Sequence, residues 1–263
     1  MNEIFEEWLK YRTNYKKLKD WKTGLCQLII DRYPTPENNM TSGFIHRTIV
    51  GDPGYGKSTY ALKVIAKIHY TMNGFNKIDN EEDSYKYAID NMIFSPQELF
   101  EKMDYQMSVN KPALVWCLDD ASVHMGTQLW EDDRATYRKL RKRMPTIRDK
   151  VTGLLITTPQ VSLLAKPLRE FLRRKVEIKL ISEFKSMRRV GRHYEKQYYP
   201  DDIRFRMRIP FQDKFSCLIP EPFYAMYRDK KKLACDLYEQ KPPKVIDEED
   251  IDEDDEGDKE IEI

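Results

Sequence analysis

The nine residues Gly51-Asp52-Pro53-Gly54-Tyr55-Gly56-Lys57-Ser58-Thr59 constrain this chain more than any other stretch, because they form a complete GxxxxGK[ST] pattern. A loop of this composition turns its backbone N–H groups inward around an anion. Its glycines supply the left-handed dihedrals and the close approach that the turn requires. The flanks agree with that role: Phe44 to Val50 reads as a strand, and Thr59 to Met72 as a helix with Leu62, Val64, Ile65 and Ile68 on its apolar face. In this setting the pattern predicts a site for ATP. Lys57 reaches the β- and γ-phosphates, Ser58 binds Mg2+, and the following helix turns its positive dipole end toward the phosphates.

Strands and helices keep alternating beyond the loop. Met92 to Phe94 is a short strand, after which Ser95, Pro96 and Glu98 form a capping box with proline at the first helical position. The continuous apolar runs Ala113 to Leu118 and Val151 to Ile156 read as strands covered on both faces. Leu129 to Met144 and Leu163 to Arg173 read as helices, Val176 to Ile181 as a fifth strand, and the Asn-, Asp- and Glu-rich stretch after Met72 as a loop. Short crossovers of this kind predict an α/β fold of the P-loop NTPase type: a five-stranded parallel sheet with helices on both faces.

Four segments are expected. Residues 1–40 form a helical N-terminal piece ending in the turn-rich PTPENNMTSG, and residues 41–182 form the core. Residues 183–241 form a small strand-rich appendage ending in a helix. There Ile203, Phe205, Met207 and Ile209 alternate with Arg204, Arg206 and Arg208, Lys214 to Ile219 could pair with that strand, and Glu221 to Gln240 carries the basic stretch Arg228, Lys230, Lys231, Lys232. Residues 242–263 are an acidic tail whose composition predicts disorder.

Two further clusters carry chemistry. Leu114-Val115-Trp116-Cys117-Leu118-Asp119-Asp120 is an apolar strand ending in two acids, far enough from the loop to leave room for one intervening strand and helix. Asp119 is the candidate second Mg2+ holder, and Asp120 the group that orients or deprotonates an attacking water. The plainer alternative is that either acid caps the next element. At the end of the following strand, Ile156-Thr157-Thr158-Pro159-Gln160 puts two hydroxyls where a polar residue would sit between the second acid and the γ-phosphate. Thr157 or Thr158 fills that role, unless the threonines only end a strand before Pro159.

Charge and composition narrow the partners. The chain of 263 residues has a formal net charge of +1, but residues 246–263 hold 12 acids and one lysine, so the rest carries +12. Basic groups cluster at Arg134, Arg138, Lys139, Arg141, Lys142 and Arg143 on one helix, at Arg188, Arg189, Arg192 and His193 in a turn, and on the face of Arg204, Arg206 and Arg208. Such faces suit a phosphate backbone, with Tyr194, Tyr198 and Tyr199 placed to stack on bases; a solvated, ion-paired surface is the simpler alternative. The apolar runs are too short to span a bilayer, and the acidic start MNEIFEEW is unlike an export signal, so a cytoplasmic protein is expected. Cys26, Cys117, Cys217 and Cys235 lie far apart with no CxxC pair, which points away from zinc and disulfides.

Together the strand, phosphate loop, Asp-Asp strand end and polar strand end resemble the additional-strand P-loop ATPases, especially the AAA-type group containing the replication initiator DnaA and helicase loaders. More closely, GDPGYGKSTYA, CLDDASVH and LLITTP are similar to P-loop ATPases carried by viruses and plasmids of thermophilic archaea, such as the fuselloviruses. The resemblance covers about residues 44–182. It implies an ATP-driven, DNA-handling homo-oligomer that replicates or moves an extrachromosomal genome. The stretch Lys166 to Arg174 follows the polar strand end where an arginine acting in trans often falls, with Arg169 and Arg173 as candidates and Arg148 a third; for each, a solvated or ion-paired surface arginine is the simpler alternative. The chain departs from the group in lacking a helical lid with a clear sensor arginine, since Val190-Gly191-Arg192 lies in strand-like sequence.

The expected function is Mg-dependent ATP hydrolysis on DNA, in replication initiation or helicase loading. Packaging or export of DNA is the alternative, because zonula-occludens-toxin-like morphogenesis ATPases also join a P-loop core to a strand-rich C-terminal segment. A nucleoside kinase is a third reading, against which stands the absence of an acceptor-binding signature. A non-hydrolysing switch that uses ATP to order an interface is a fourth.

Overall fold

The computed structural model describes residues 18, 21, 23–33, 43–73, 81–169, 174–181, 187–199 and 202–239, with the side chains of Asn73, Trp130, 196–199, 202–207 and 237–239 excepted. The expected acidic tail, Arg173 and most of the N-terminal helical piece lie outside the described residues.

Among the described residues, eight strands form one sheet, in the order β2-β3-β4-β1-β5-β6-β7, with β8 also pairing β6. The parallel part comprises β1 (Ile45–Val50), β2 (Met92–Ile93), β3 (Ala113–Leu118), β4 (Val151–Thr157) and β5 (Arg174–Leu180). The remaining strands are antiparallel: β6 (Arg188–Tyr199) joins β5, while β7 (Asp202–Arg208) and β8 (Gln212–Ser216) lie one after the other along its far side. The sheet therefore has more than the five strands expected, because the strand-rich C-terminal segment extends it.

Three local readings also change. Arg188, Arg189, Arg192 and His193 lie in β6 rather than a turn. The strand around Lys214 pairs with β6, not with the arginine strand. The acidic stretch read as a loop holds a helix, Glu81–Asp90, whose first turn places Glu81, Glu82 and Asp83 against the positive dipole end and whose inner face buries Tyr85, Ala88 and Ile89.

Alternation along the central strands explains the layering. On β3, Val115 and Cys117 enter one core and Trp116 and Leu118 the other; on β4, Leu155 faces the first while Leu154 and Ile156 face the second. The first core is covered by α1 (Gly24–Ile30), α2 (Lys57–Asn73) and α3 (Glu81–Asp90). Gly153 permits the close approach of α1, since a Cβ there would lie 3.1 Å from both Ile29 and Val115. The second core is covered by α4 (Pro96–Val109), α5 (Ala121–His124) and α7 (Arg134–Arg143), with α6 (Leu129–Asp132) between them. Ser95 caps α4 as expected, its hydroxyl accepting from the Glu98 N–H at 3.1 Å. The helix expected over Leu129 to Met144 breaks at Asp133, whose carboxylate accepts from both the N–H and the hydroxyl of Thr136 and so starts a new helix. A short helix, α8 (Lys166–Arg169), and the long α9 (Glu221–Glu239) complete the order.

A buried polar cluster ties α1, α2, β6 and β8 together. Asp213 accepts from the Thr23 hydroxyl at 2.5 Å, the Gly24 N–H at 2.8 Å and the Tyr60 hydroxyl at 2.7 Å, and lies 3.1 Å from His193 Nε2. Burial raises the Asp213 carboxyl, but these donors outweigh it and leave its pKa below the ordinary value. Among the described residues, no helix is long and apolar enough to cross a membrane.

Candidate functional site

Parallel strands bring their C-terminal ends to one edge, and that edge collects β1 with the loop after it, β3 with its acids and β4 with its threonines. β4 lies between the other two strands, so Thr157 sits directly between the phosphate loop and the acid pair.

The loop takes the backbone its glycines predict. Gly54 and Gly56 have φ of +78° and +89°, and a Cβ on Gly56 would also come within 2.5 Å of Cys217 Sγ. Lys57 opens α2 and is 7% exposed, its Nζ donating to the carbonyls of Gly51 at 2.8 Å and Asp52 at 3.0 Å. Burial lowers the Lys57 pKa, while Asp120, Asp119 and Asp52 pull it the other way. The ammonium thus rests folded against its own loop and faces the two acids.

Asp119 is fully buried at the end of β3. Its Oδ1 accepts from the Thr157 hydroxyl at 2.6 Å and its Oδ2 from the Tyr227 hydroxyl at 2.7 Å, and Ser58 is a third hydrogen-bond partner. Burial raises the Asp119 pKa and the charge of Asp120 adds to it, while the three hydroxyls oppose the shift. A buried carboxylate surrounded by hydroxyls accommodates a hard divalent cation, which favours oxygen donors and would supply the compensating charge. Ser58 and Asp119 therefore fit Mg2+.

Asp120 adopts a left-handed backbone, φ 46° and ψ 42°, a conformation aspartate tolerates better than most residues. Its N–H donates to Thr157 Oγ1 at 2.8 Å, and its carboxylate is ion-paired with Lys231. The Lys231 pKa is raised: burial works against the charge, but the hydrogen bond and charge of Asp120 prevail.

The two threonines separate in role. Thr157 links both acids, whereas Thr158 donates its hydroxyl to the Gln160 carbonyl at 2.8 Å within its own loop. Among the arginines, Arg169 is exposed at the end of α8, on the strand-end side of β4, while Arg148 precedes β4 at the opposite end and is paired with Asp149. Of the basic faces, α7 exposes Arg138, Lys139, Arg141 and Lys142, and Arg208 of β7 is exposed. His193 is buried against Asp213 and Phe211 and belongs to no basic face.

Sequence reasoning missed Tyr227 and Lys231. They lie four residues apart on α9 and so share one helical face, but they are separated from the acids by 108 and 111 residues. The basic stretch around Lys230 was the signal, without an address.

No family pattern matches the chain. It is similar to the uncharacterized protein B-251 of Sulfolobus spindle-shape virus 1, 27% identical over 133 residues, which are 50% of this chain and 50% of that protein; the chain thus spans about half the length of the curated relative it matches. Among solved structures, the N-terminal domain of zonular occludens toxin from Neisseria meningitidis is 14% identical, with 70% of this chain and 98% of that chain covered and a TM-score of 0.39. A KaiC-like protein from Pyrococcus horikoshii is 16% identical over 66% of this chain and 96% of that one, with a TM-score of 0.33. ATPases 2 and 3 of EssC from Geobacillus thermodenitrificans are 12% identical over 75% of this chain and 45% of that one, with a TM-score of 0.31.

Proposed function

We propose that this chain is a Mg-dependent ATP hydrolase that acts on DNA, in replication initiation or helicase loading of an extrachromosomal genome. The observation that carries the hydrolase reading is the hydroxyl of Thr157, which joins Asp119 and Asp120 beside the loop that holds Lys57. Residues 51–56 wrap the phosphates, Gly51, Asp52, Gly54, Tyr55 and Gly56 with backbone N–H groups and Pro53 by fixing the turn, and Lys57 exchanges its loop carbonyls for phosphate oxygens. Ser58 and Asp119 hold Mg2+, which when bound offsets the charge on the phosphates. Thr59 follows in the first turn of α2, whose dipole end faces the same anion.

A carboxylate oxygen of Asp120 then accepts a proton from the attacking water, and Thr157 keeps that acid in register with the metal-holding one. A kinase acceptor pocket is not needed for this constellation. Arg169 is exposed for a neighbouring copy, which fits an assembly in which one subunit completes the site of the next. The DNA reading rests on the exposed basic side of α7, and the extrachromosomal setting on the matched sequence patterns together with the viral relative.

The test is the rate of phosphate release from ATP, with and without single- and double-stranded DNA, alongside Lys57→Ala and the mass in solution. DNA-stimulated turnover that disappears in Lys57→Ala is the expected result. Unstimulated turnover by a monomer would remove the DNA part, and phosphorylation of a nucleoside would replace hydrolysis by group transfer.

A further inference from the structure

The helix α9 makes contacts that neither the phosphate loop nor a DNA-binding face requires. Its Tyr227 hydroxyl bridges Asp119 and Ser58, the two residues to which the functional reading gives Mg2+. One turn later, Lys231 pairs with Asp120, to which that reading gives the attacking water. Between them Lys230 anchors the helix to the body, donating to the carbonyls of Met92 at 2.6 Å and Ile89 at 3.2 Å and pairing with Glu98 at 2.7 Å. Phe223 stacks on Tyr85 of α3 with ring centres 5.0 Å apart.

We infer that α9 is a latch which holds the catalytic acids in a resting state and must withdraw from them before Mg-ATP can be bound productively. The inference rests on the functional reading above. Three ligand-facing groups are satisfied by the chain itself: Lys57 by its own loop, Asp119 by a phenol, and Asp120 by an ammonium. A cation held between Ser58 and Asp119 would draw on the carboxylate charge that the Tyr227 hydroxyl already engages at Oδ2, so the metal and that hydroxyl compete at Asp119. Lys231 pairs with Oδ2 of Asp120 and lowers the carboxylate's affinity for a proton from water. When Mg-ATP displaces the helix, Lys231 exchanges Asp120 for solvent or for the incoming phosphate, and the pairings that close the helix are lost together.

The latch predicts a gain, which separates it from a purely structural contact. In Tyr227→Phe the ring and its packing on Phe94 remain, but the competing hydroxyl is gone. Affinity for Mn2+ in the presence of ATP, read by electron paramagnetic resonance, should tighten by about tenfold, the worth of one hydrogen bond to a charged group. Lys231→Met, which keeps the length of the stem, should tighten it as well. In the unaltered protein, Mg-ATP should speed amide hydrogen exchange across 221–239, whereas ATP with a chelator should not. Weaker or unchanged Mn2+ affinity in both variants, or a helix that Mg-ATP leaves unmoved or protects, overturns the latch. Nucleotide binding is followed separately with a fluorescent ATP analogue. Binding with an unmoved helix removes the latch alone, while no binding, with Lys57→Ala indistinguishable from the parent, removes the functional reading and the latch with it.

Discussion

Thr157 donates to Asp119 at 2.6 Å and accepts the N–H of Asp120 at 2.8 Å, so one hydroxyl fixes the end of β3 from the neighbouring strand. Replacing it by valine leaves a buried carboxylate oxygen and a buried N–H each short of a partner, at about 1–3 kcal/mol apiece. Thr157→Val should therefore lower the urea midpoint clearly and lose ATP turnover. Thr158→Val gives up a bond within its own loop and should cost only about 0.5–1.5 kcal/mol. Equal effects of the two on turnover would refute the assignment of Thr157 as the linking residue.

Lys57→Ala removes the ammonium that now rests on Gly51 and Asp52. Loss of one preorganised charge at the phosphates should reduce turnover by about 10²–10³-fold. Phosphate release at saturating ATP measures it, and retention of more than about a tenth of the parent rate would contradict the role.

Asp119 gives a pH signature. Its folded pKa is raised by burial and by Asp120, so the folded state binds the proton more tightly than the unfolded chain does. The stability this contributes is present below the ordinary carboxylate range and is lost as pH rises through the raised value. Asp119→Asn should flatten that loss: as pH rises above the ordinary carboxylate range, its urea midpoint should decline less than the parent's. A steeper decline in the variant would reverse the sign.

Asp213 is the acceptor for Thr23, Gly24 and Tyr60, with His193 beside it. Asp213→Ala strands these buried donors and should destabilise the fold by about 3–5 kcal/mol. Faster hydrogen exchange at 24–30 would show that α1 is the first element released. Unchanged protection there would mean that the apolar contacts of Leu25 and Ile29 suffice.

Along α7, Arg138 and Lys142 are exposed one turn apart. If both meet DNA phosphates, Arg138→Glu with Lys142→Glu should weaken binding equally across sequences. The slope of log affinity against log salt should fall by about 2, one per lost contact. An unaltered slope would assign these residues to the solvated surface.

The sequence was most readable where chemistry and local structure coincide. Gly54, Gly56 and Lys57 predict both a turn and a ligand, and the runs Ala113 to Leu118 and Val151 to Ile156 are apolar because helices cover both their faces. The break at Asp133 was hidden inside a helical period, because a capping aspartate costs little where the chain can simply restart. The sequence around Val190 is strand-like, but its clustered charge suggests a turn, whereas β6 runs unbroken through Arg188 to His193 between β5 and its antiparallel partners β7 and β8. Tyr227 and Lys231 carry no local pattern, since what gives them meaning is a carboxylate brought to them by tertiary structure. Helical period foretold α9, but no periodicity encodes what a helix will lie upon.

The two margins of the sheet differ from its middle in a way that bears on how copies of this chain can meet. At one margin β2 offers only two residues of backbone; the other is divided between β8, of five residues, and β7, whose sequence alternates arginine through positions 204, 206 and 208. A strand too short to template another, and a strand whose charges repel its own likeness, both resist end-to-end sheet growth. Were copies to associate, contact would be left to helices and loops, where shape and charge can limit the number of subunits instead of letting a fibre extend.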